Sequence, residues 1–228
     1  MKLLAVDTTE DTCSVGLCVD DEMRWRFEVA PRRHSELLLP MIDDLLNEAG
    51  LAVQQLDALA FSRGPGSFTG VRIATGVIQG IALGADLPVT PVSTLAALAQ
   101  GAWRTRGAER VLSALDARMG EVYWAQCHLH DGCMIIEGEE RVGKPDLVPD
   151  SVAEECWGAG SGWSAYPDAL AQATGIPPAQ TLSEQRIHAR DVASLGLAAL
   201  LAGEAVAPEE AQPVYVRNNV AAKPGRPL

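Results

Sequence analysis

Residues 2–11 read KLLAVDTTED, and residues 111–120 read VLSALDARMG. Each is a short apolar run ending on an acid, Asp7 or Asp116, before the polarity rises. Such a run reads as a buried strand that leaves a carboxylate at its C-terminal end. The next stretches are also alike. After Asp7 come CSVGLCV (13–19), a turn signal at Asp20-Asp21 and an alternating stretch over 22–29. After Asp116 come EVYWAQCHL (121–129), a turn at Asp131-Gly132 and CMIIEGEERV (133–142). The chain therefore starts twice with three strands in sequence, read in the first half as an antiparallel meander.

Working outward, Leu38, Met41, Ile42, Leu45, Leu46 and Ala49 recur at helical spacing and predict a helix over 34–49, stopped by Gly50. Pro40 inside it predicts a kink or a late start. A strand is expected over 56–61. SRGPGSFTG (62–70) then leads into a second helix over 68–83 with Ser67 as its N-cap. A strand over 87–92 and a third helix, capped by Ser93 and ending near Gln100, close the first half. GAWRTRGAER (101–110) reads as the junction. The second half adds a short strand over 156–160, helices over 166–174 and 188–202, and a loop-like tail, AKPGRPL. The expected fold is α/β, two similar βββαβα lobes over 1–102 and 103–228. The last helix and tail are candidates to pack back on the first lobe.

The 228 residues carry 18 Lys+Arg against 30 Asp+Glu, a formal net charge of −12. Tight phosphate binding needs clustered cations, so unaided binding of nucleic acid is disfavoured, as is an anionic membrane surface. The five cysteines (Cys13, Cys18, Cys127, Cys133, Cys156) are odd in number and scattered, which is no disulfide framework. The N-terminus turns acidic at Asp7 and does not read as a signal peptide. The most apolar stretch, 71–99, is broken by Arg72, Gln79, Asp86, Pro88 and Pro91, short of the ~20 apolar residues that span a bilayer. A reduced, cytoplasmic protein without a membrane segment is expected.

Three constellations carry possible chemistry. Asp7 with Thr8, and the GPGSFTG loop with Ser67 and Thr69, stand where a strand end and a helix N-terminus could hold an anion or a metal–nucleotide. The loop lacks the Gly-Lys-Ser/Thr ending of a P-loop, and its glycines equally suit a tight turn. A stand-alone phosphotransferase or ATPase would use these groups together with Asp116, but no further acid or lysine completes the phosphate site. Cys127, His128, His130 and Cys133 flank a hairpin turn without the C-x₂₋₄-C pairing of structural zinc, so no metal site is expected. His34 and His188 are isolated in sequence. The third constellation is Gly76, Gly80 and Gly84, one helical row on which each glycine costs roughly 1 kcal/mol of helix propensity relative to Ala. Close packing on the helix's own sheet could offset that cost, and so could a second helix approaching from outside. Ile73, Val77 and Ile81 on the same helix, and Leu37 and Leu39 on the first, exceed what one core stripe needs. The two helices together suggest a protein–protein interface.

LLAVDTTEDTCSVGL, RHSELLLPMIDDLL, FSRGPGSFTGVRIATGVIQGIALGADLPVTPVSTLAAL and PVYVRNNVA together strongly resemble the bacterial TsaB (YeaZ) family. Residues 104–203 match that family mainly by element order. The resemblance implies an actin/hexokinase/Hsp70-like fold and a role in forming threonylcarbamoyladenosine beside the tRNA anticodon, at position 37. It implies a non-catalytic subunit that heterodimerises with its paralogue TsaD, which transfers the threonylcarbamoyl group, and supports the ATPase TsaE. Pairing would run through the first two helices, which places His34, Leu37, Leu38, Met41, Arg72, Ile73, Gly76, Val77, Gly80 and Gly84 at the interface. Alone, the chain is expected to homodimerise through the same helices. TsaD-like proteins carry two metal-binding histidines on the helix after the GPG block. The corresponding VSTLAALAQ (92–100) has none. That departure argues against metal catalysis and a peptidase activity, and no catalytic residue is assigned. No cofactor is expected, nucleotide being compatible only with the joint to TsaD, and tRNA would be met only through the complex.

Overall fold

The computed structural model describes residues 1–20, 22–148 and 155–217. Asp21 of the expected turn, residues 218–221 of the family-like PVYVRNNVA and the tail 222–228 lie outside the described residues. β1 (Lys2–Asp7), β2 (Thr12–Val19) and β3 (Glu22–Val29) form the expected antiparallel meander. α1 (His34–Ala49) follows, then β4 (Ala58–Ser62), α2 (Phe68–Ala85), β5 (Val89–Val92) and α3 (Thr94–Arg106). β4 lies parallel to β1 and β5 parallel to β4, so the sheet order is β3-β2-β1-β4-β5. Parallel neighbours require crossover connections, which α1 and α2 supply.

The second half repeats this sheet. β6 (Arg110–Arg118), β7 (Glu121–His130) and β8 (Cys133–Gly143) form the meander, and β9 (Trp157–Ala159) lies parallel to β6. α4 (Ser161–Ala165), α5 (Pro167–Thr174), β10 (Thr181–Leu182) and α6 (Ala189–Leu201) complete it. The order β10-β9-β6-β7-β8 mirrors the first sheet strand for strand, with the same parallel and antiparallel senses. The α/β architecture expected above, two lobes each built on a three-stranded meander extended by parallel strands, is what the chain forms. The lobes differ in their helices. Between β8 and β9, where α1 stands in the first lobe, the described residues hold one 3₁₀ turn, Pro145–Leu147.

Two local expectations need correction. Residues 101–106 are not a junction but the last turns of α3, which Gly107 ends in a left-handed conformation. Gly101 belongs inside that helix because Gln185 and Asp191 pack against it, 2.8 and 3.0 Å from where a Cβ would stand. Arg104 and Arg106 suit the negative end of the helix dipole. Pro40 does not delay α1, which begins at His34 and carries the proline on its exposed side.

Strand alternation assigns the two faces of the first sheet. Leu3 and Ala5 face α3, α6 and the second sheet, in one core with Ala60, Leu98, Val111, Leu115 and Val192. Leu4 and Val6 face α1 and α2, in a second core with Leu38, Leu45, Phe61, Ala74 and Ile78. α6, drawn from the second half of the sequence, lies on the first sheet. Gly16 and Gly196 allow it that close, since a Cβ at either would stand 2.8 Å from Ala189 O or 2.6 Å from Ala60 Cβ. Arg104 reaches across from α3 to the buried Asp191 of α6, donating from Nε and Nη2 at 2.7 and 2.9 Å. α2 is by length and composition long enough to cross a membrane. Its Val71, Ala74, Ile78 and Ala82 are buried, the last three in the core against the first sheet.

Candidate functional site

The outer face of the first lobe is built by α1 and α2 side by side. Ser67 caps α2 as expected, its Oγ accepting from Gly70 N at 3.3 Å. Gly76, Gly80 and Gly84 all lie on the exposed side, and a Cβ built at any of them meets nothing within 4 Å among the described residues. Packing on the helix's own sheet therefore does not offset their propensity cost. Within this chain the three glycines leave a shallow open channel along α2. It is flanked by Ile73, Val77 and Ile81, each only partly buried, and ends at Leu83, 63 % exposed. On α1, Leu37 and Met41 are partly buried and Leu39 is 54 % exposed.

Of the expected contact residues, Arg72, Gly76 and Gly80 are exposed, as is Gly84, while Leu37, Met41, Ile73 and Val77 present part of their side chains. His34 and Leu38 do not belong to that surface. Both are buried under α1, Leu38 among the core leucines. They share the inward row of α1 with Ile42 and Leu45, so the same periodicity that found the helix also turns them away from solvent. Phe68, 57 % exposed, is missing from the expected set. It stands one turn before Arg72 on the glycine row, and that i, i+4 spacing is the signal that would have found it.

The glycine loop is closed by the chain itself. Ser67 N donates to Thr9 O at 2.7 Å, and Thr8 Oγ1 donates to Gly70 O at 2.7 Å. A Cβ at Gly66 would stand 2.7 Å from Thr9 O, and one at Gly70 only 1.9 Å from Thr8 O. Asp7 and Thr8 are fully buried, while Ser67 and Thr69 are exposed, so the four are not gathered round one accessible point. Asp7 Oδ1 accepts from Thr9 Oγ1 at 2.6 Å, and Oδ2 accepts no hydrogen bond from any of the described residues. Burial pushes the Asp7 carboxyl up, against the Thr9 and Ser62 hydroxyls and the nearby His34. The glycines serve the close approach of the Thr8-Thr9 main chain, which occupies the cradle that a phosphate would need.

Asp116, at the matching strand end, is held by its own turn, its Oδ1 and Oδ2 accepting from Arg118 N and Nη1 at 2.9 Å. Between the two strand ends the lobes touch. Ser161 of α4 donates to Glu10 Oε1 at 2.5 Å and accepts from Asp116 N at 3.0 Å. Arg186 spans to Asp11, Nε and Nη2 each at 3.3 Å. On the other flank Glu140 of β8 accepts from Ser93 Oγ at 2.5 Å and pairs with Arg63 at 3.0 Å.

Burial raises Glu10 to about 7, with Asp7 and Asp11 adding to the rise and Ser161 and Arg186 opposing it. A carboxyl raised in the fold binds its proton more tightly there than in the unfolded chain. Its stabilising contribution is full below about 4.5 and is lost as the pH climbs to about 7. Glu10→Gln is therefore expected to flatten the fall in stability between pH 5 and 8, with a gain at pH 8 of up to about 3 kcal/mol. Urea unfolding across that range checks it. Parallel curves for variant and parent would show that Glu10 titrates as an ordinary surface carboxylate.

The hairpin histidines and cysteines separate as the alternation requires. Cys127 is buried in the core, His128 points to Glu137 at 2.9 Å, and His130 lies in the open beside Asp131. Among the described residues, no group of three or more His, Cys, Asp or Glu is gathered as a metal site would require.

Residues 28–222 match the family described as TsaD, tRNA N6-adenosine threonylcarbamoyltransferase. The tRNA threonylcarbamoyladenosine biosynthesis protein TsaB of Escherichia coli is 45% identical over 236 aligned positions, covering 99% of this chain and all of that protein. The protein of the same name from Haemophilus influenzae is 37% identical, covering 99% and 98%. Among solved structures, YeaZ from Pseudomonas aeruginosa superposes with a TM-score of 0.88 at 46% identity, covering 94% of this chain and 99% of that one.

Proposed function

Since the chain belongs to the TsaB (YeaZ) family, we propose that it serves the formation of threonylcarbamoyladenosine at tRNA position 37 as a non-catalytic scaffold subunit in the cytoplasm. It pairs with TsaD through the α1–α2 face and, once paired, supports the binding of TsaE. The observation that carries this reading is the open glycine row. Three glycines inside one helix, each costing roughly 1 kcal/mol, find no compensating contact among the described residues of the lone chain. They find it when a second helix lies in the channel they leave. The acidic balance fits the same role, because tRNA phosphates are then met by the partner's cations.

A stand-alone phosphotransferase would need the GPGSFTG loop and Asp7 open to a nucleotide. The Thr8-Thr9 main chain fills that loop, and Asp7 is fully buried. A nucleotide bound at the joint with TsaD remains compatible with this reading.

Size-exclusion chromatography with light scattering tests it, on the chain alone and mixed with TsaD from the same organism. The expected result is a homodimer that exchanges into a heterodimer. A monomer indifferent to TsaD would overturn the proposal, and turnover of Mg-ATP by the lone chain would turn attention back to an enzyme.

A further inference from the structure

The segment after α6 runs back over the first lobe, past the first turn of α2, and reaches the second lobe at Arg217. Val206 bridges to Val89 at the edge of the first sheet. Ala211 is buried, and its carbonyl accepts from Gln79 Nε2 of α2 at 3.0 Å. Val214 N donates to Arg63 O at 2.8 Å, and Val214 O lies where a Cβ on Gly64 would come within 2.7 Å. Arg217 then pairs with Glu121 at the start of β7, in the other lobe. Residues 206–217 are thus tied at both ends and in the middle.

That anchoring sets Tyr215 against the first turn of α2. Its hydroxyl accepts from Arg72 Nε at 2.9 Å, and its ring lies 5.8 Å from that of Phe68. The Arg72 guanidinium sits 3.7 Å over the Phe68 ring. Tyr215 is nonetheless 43 % exposed and Phe68 57 %. Phe68 and Arg72 continue the row of Gly76, Gly80 and Gly84 by steps of four residues, so the cluster lies at one end of the glycine channel. Arg72 is the one Lys or Arg in α1 and α2 together. Among the described residues no acceptor is bonded to its Nη atoms.

We infer that the C-terminal segment is the third element of the docking face, and that Tyr215 holds Arg72 ready for a carboxylate on the partner. This rests on the α1–α2 reading above and extends it to a residue 143 positions away in sequence. The occupant is the same partner that fills the glycine channel. It presents an apolar helix surface along the channel and an Asp or Glu opposite Arg72. Tyr and Arg held in place before binding lose little freedom when covered, which is why such residues dominate interfaces. A guanidinium whose face lies on Phe68 and whose Nε is bonded to Tyr215 donates from its free Nη edge to a carboxylate at a fixed angle.

The test measures the affinity of TsaD for the parent chain, Tyr215→Ala, Tyr215→Phe, Arg72→Ala and the double variant, at two salt concentrations. Tyr215→Ala and Arg72→Ala are each expected to weaken pairing by about tenfold or more. The double variant should lose less than the product of the two, and Tyr215→Phe should fall between parent and Tyr215→Ala. Arg72→Ala should also lose much of the parent's salt dependence. Unchanged affinity for Tyr215→Ala, with Gly80→Leu still abolishing pairing, would remove the segment from the face and leave the helices. If Gly80→Leu also pairs normally, the docking reading itself falls and this inference with it. Both aromatic variants keep an exposed site, and their unfolding midpoints should stay close to the parent's.

Discussion

Gly80→Leu is expected to make the lone chain more stable by about 1 kcal/mol and to weaken its pairing by at least about 100-fold. The two effects have different physical origins and opposite signs. In the free chain a side chain at position 80 enters open space, since none of the described residues stands within 4 Å of the Cβ. The helix then loses only the entropic penalty of glycine. In the complex the same side chain fills the channel in which a second helix would lie, and overpacking there cannot relax without separating the helices. Ala at position 80 should give the same gain in stability with a smaller loss of pairing. Ile73→Glu should also break pairing, by burying an unpaired carboxylate. Thermal unfolding of the lone chain and light scattering of the mixture read the two quantities separately. A Gly80→Leu chain that is stabilised and still pairs would place the partner elsewhere.

How far the sequence discloses this depends on how local each signal is. The doubled strand run around Asp7 and Asp116, the caps Ser67 and Ser93 and the stop at Gly50 depend on neighbours a few residues away. All are found where the pattern puts them. The glycine row is equally local, and its open side is visible as a surplus of apolar residues beyond one core stripe. The helical course of residues 101–106 is different. Its Gly, its Trp and its charged and polar residues look like a junction until Asp191 and Gln185, about eighty or more positions away, pack on Gly101 and Arg104.

The same distance separates what is legible in the candidate site from what is not. Family likeness places His34 and Leu38 on the docking face, yet their helical phase turns them inward. Phe68 can be read from its spacing to Arg72. Tyr215 cannot, because its partner is 143 residues away and the chain between them passes through the other lobe. Glu10 owes its raised pKa to burial at a joint made with Ser161 of the opposite lobe, 151 residues on. Contacts of that separation carry no local pattern.

Gly70→Ala, near the glycine row and on the same helix, is expected to act in the opposite direction to Gly80→Ala and to cost about 4 kcal/mol or more. The added methyl would stand 1.9 Å from Thr8 O and 3.0 Å from Thr8 C, both main-chain atoms. No rotamer change relieves that contact, so either α2 shifts away from the β1–β2 turn or the turn is forced out. The turn is poorly placed to move. Thr8 Oγ1 is bonded to Gly70 O, Thr9 O accepts from Ser67 N, and Thr9 Oγ1 is bonded to the buried Asp7. Forcing it out would strip these bonds inside the fold, where each unmade bond costs about 1–3 kcal/mol. For a chain of this length the melting temperature should fall by about 8–16 °C. Gly66→Ala, whose Cβ would meet Thr9 O at 2.7 Å, should fall between the two. A Gly70→Ala chain as stable as the parent would mean that the Thr8-Thr9 turn withdraws from the loop at little cost. The GPGSFTG cradle would then be open to an anion after all, and phosphate binding by the lone chain would have to be measured.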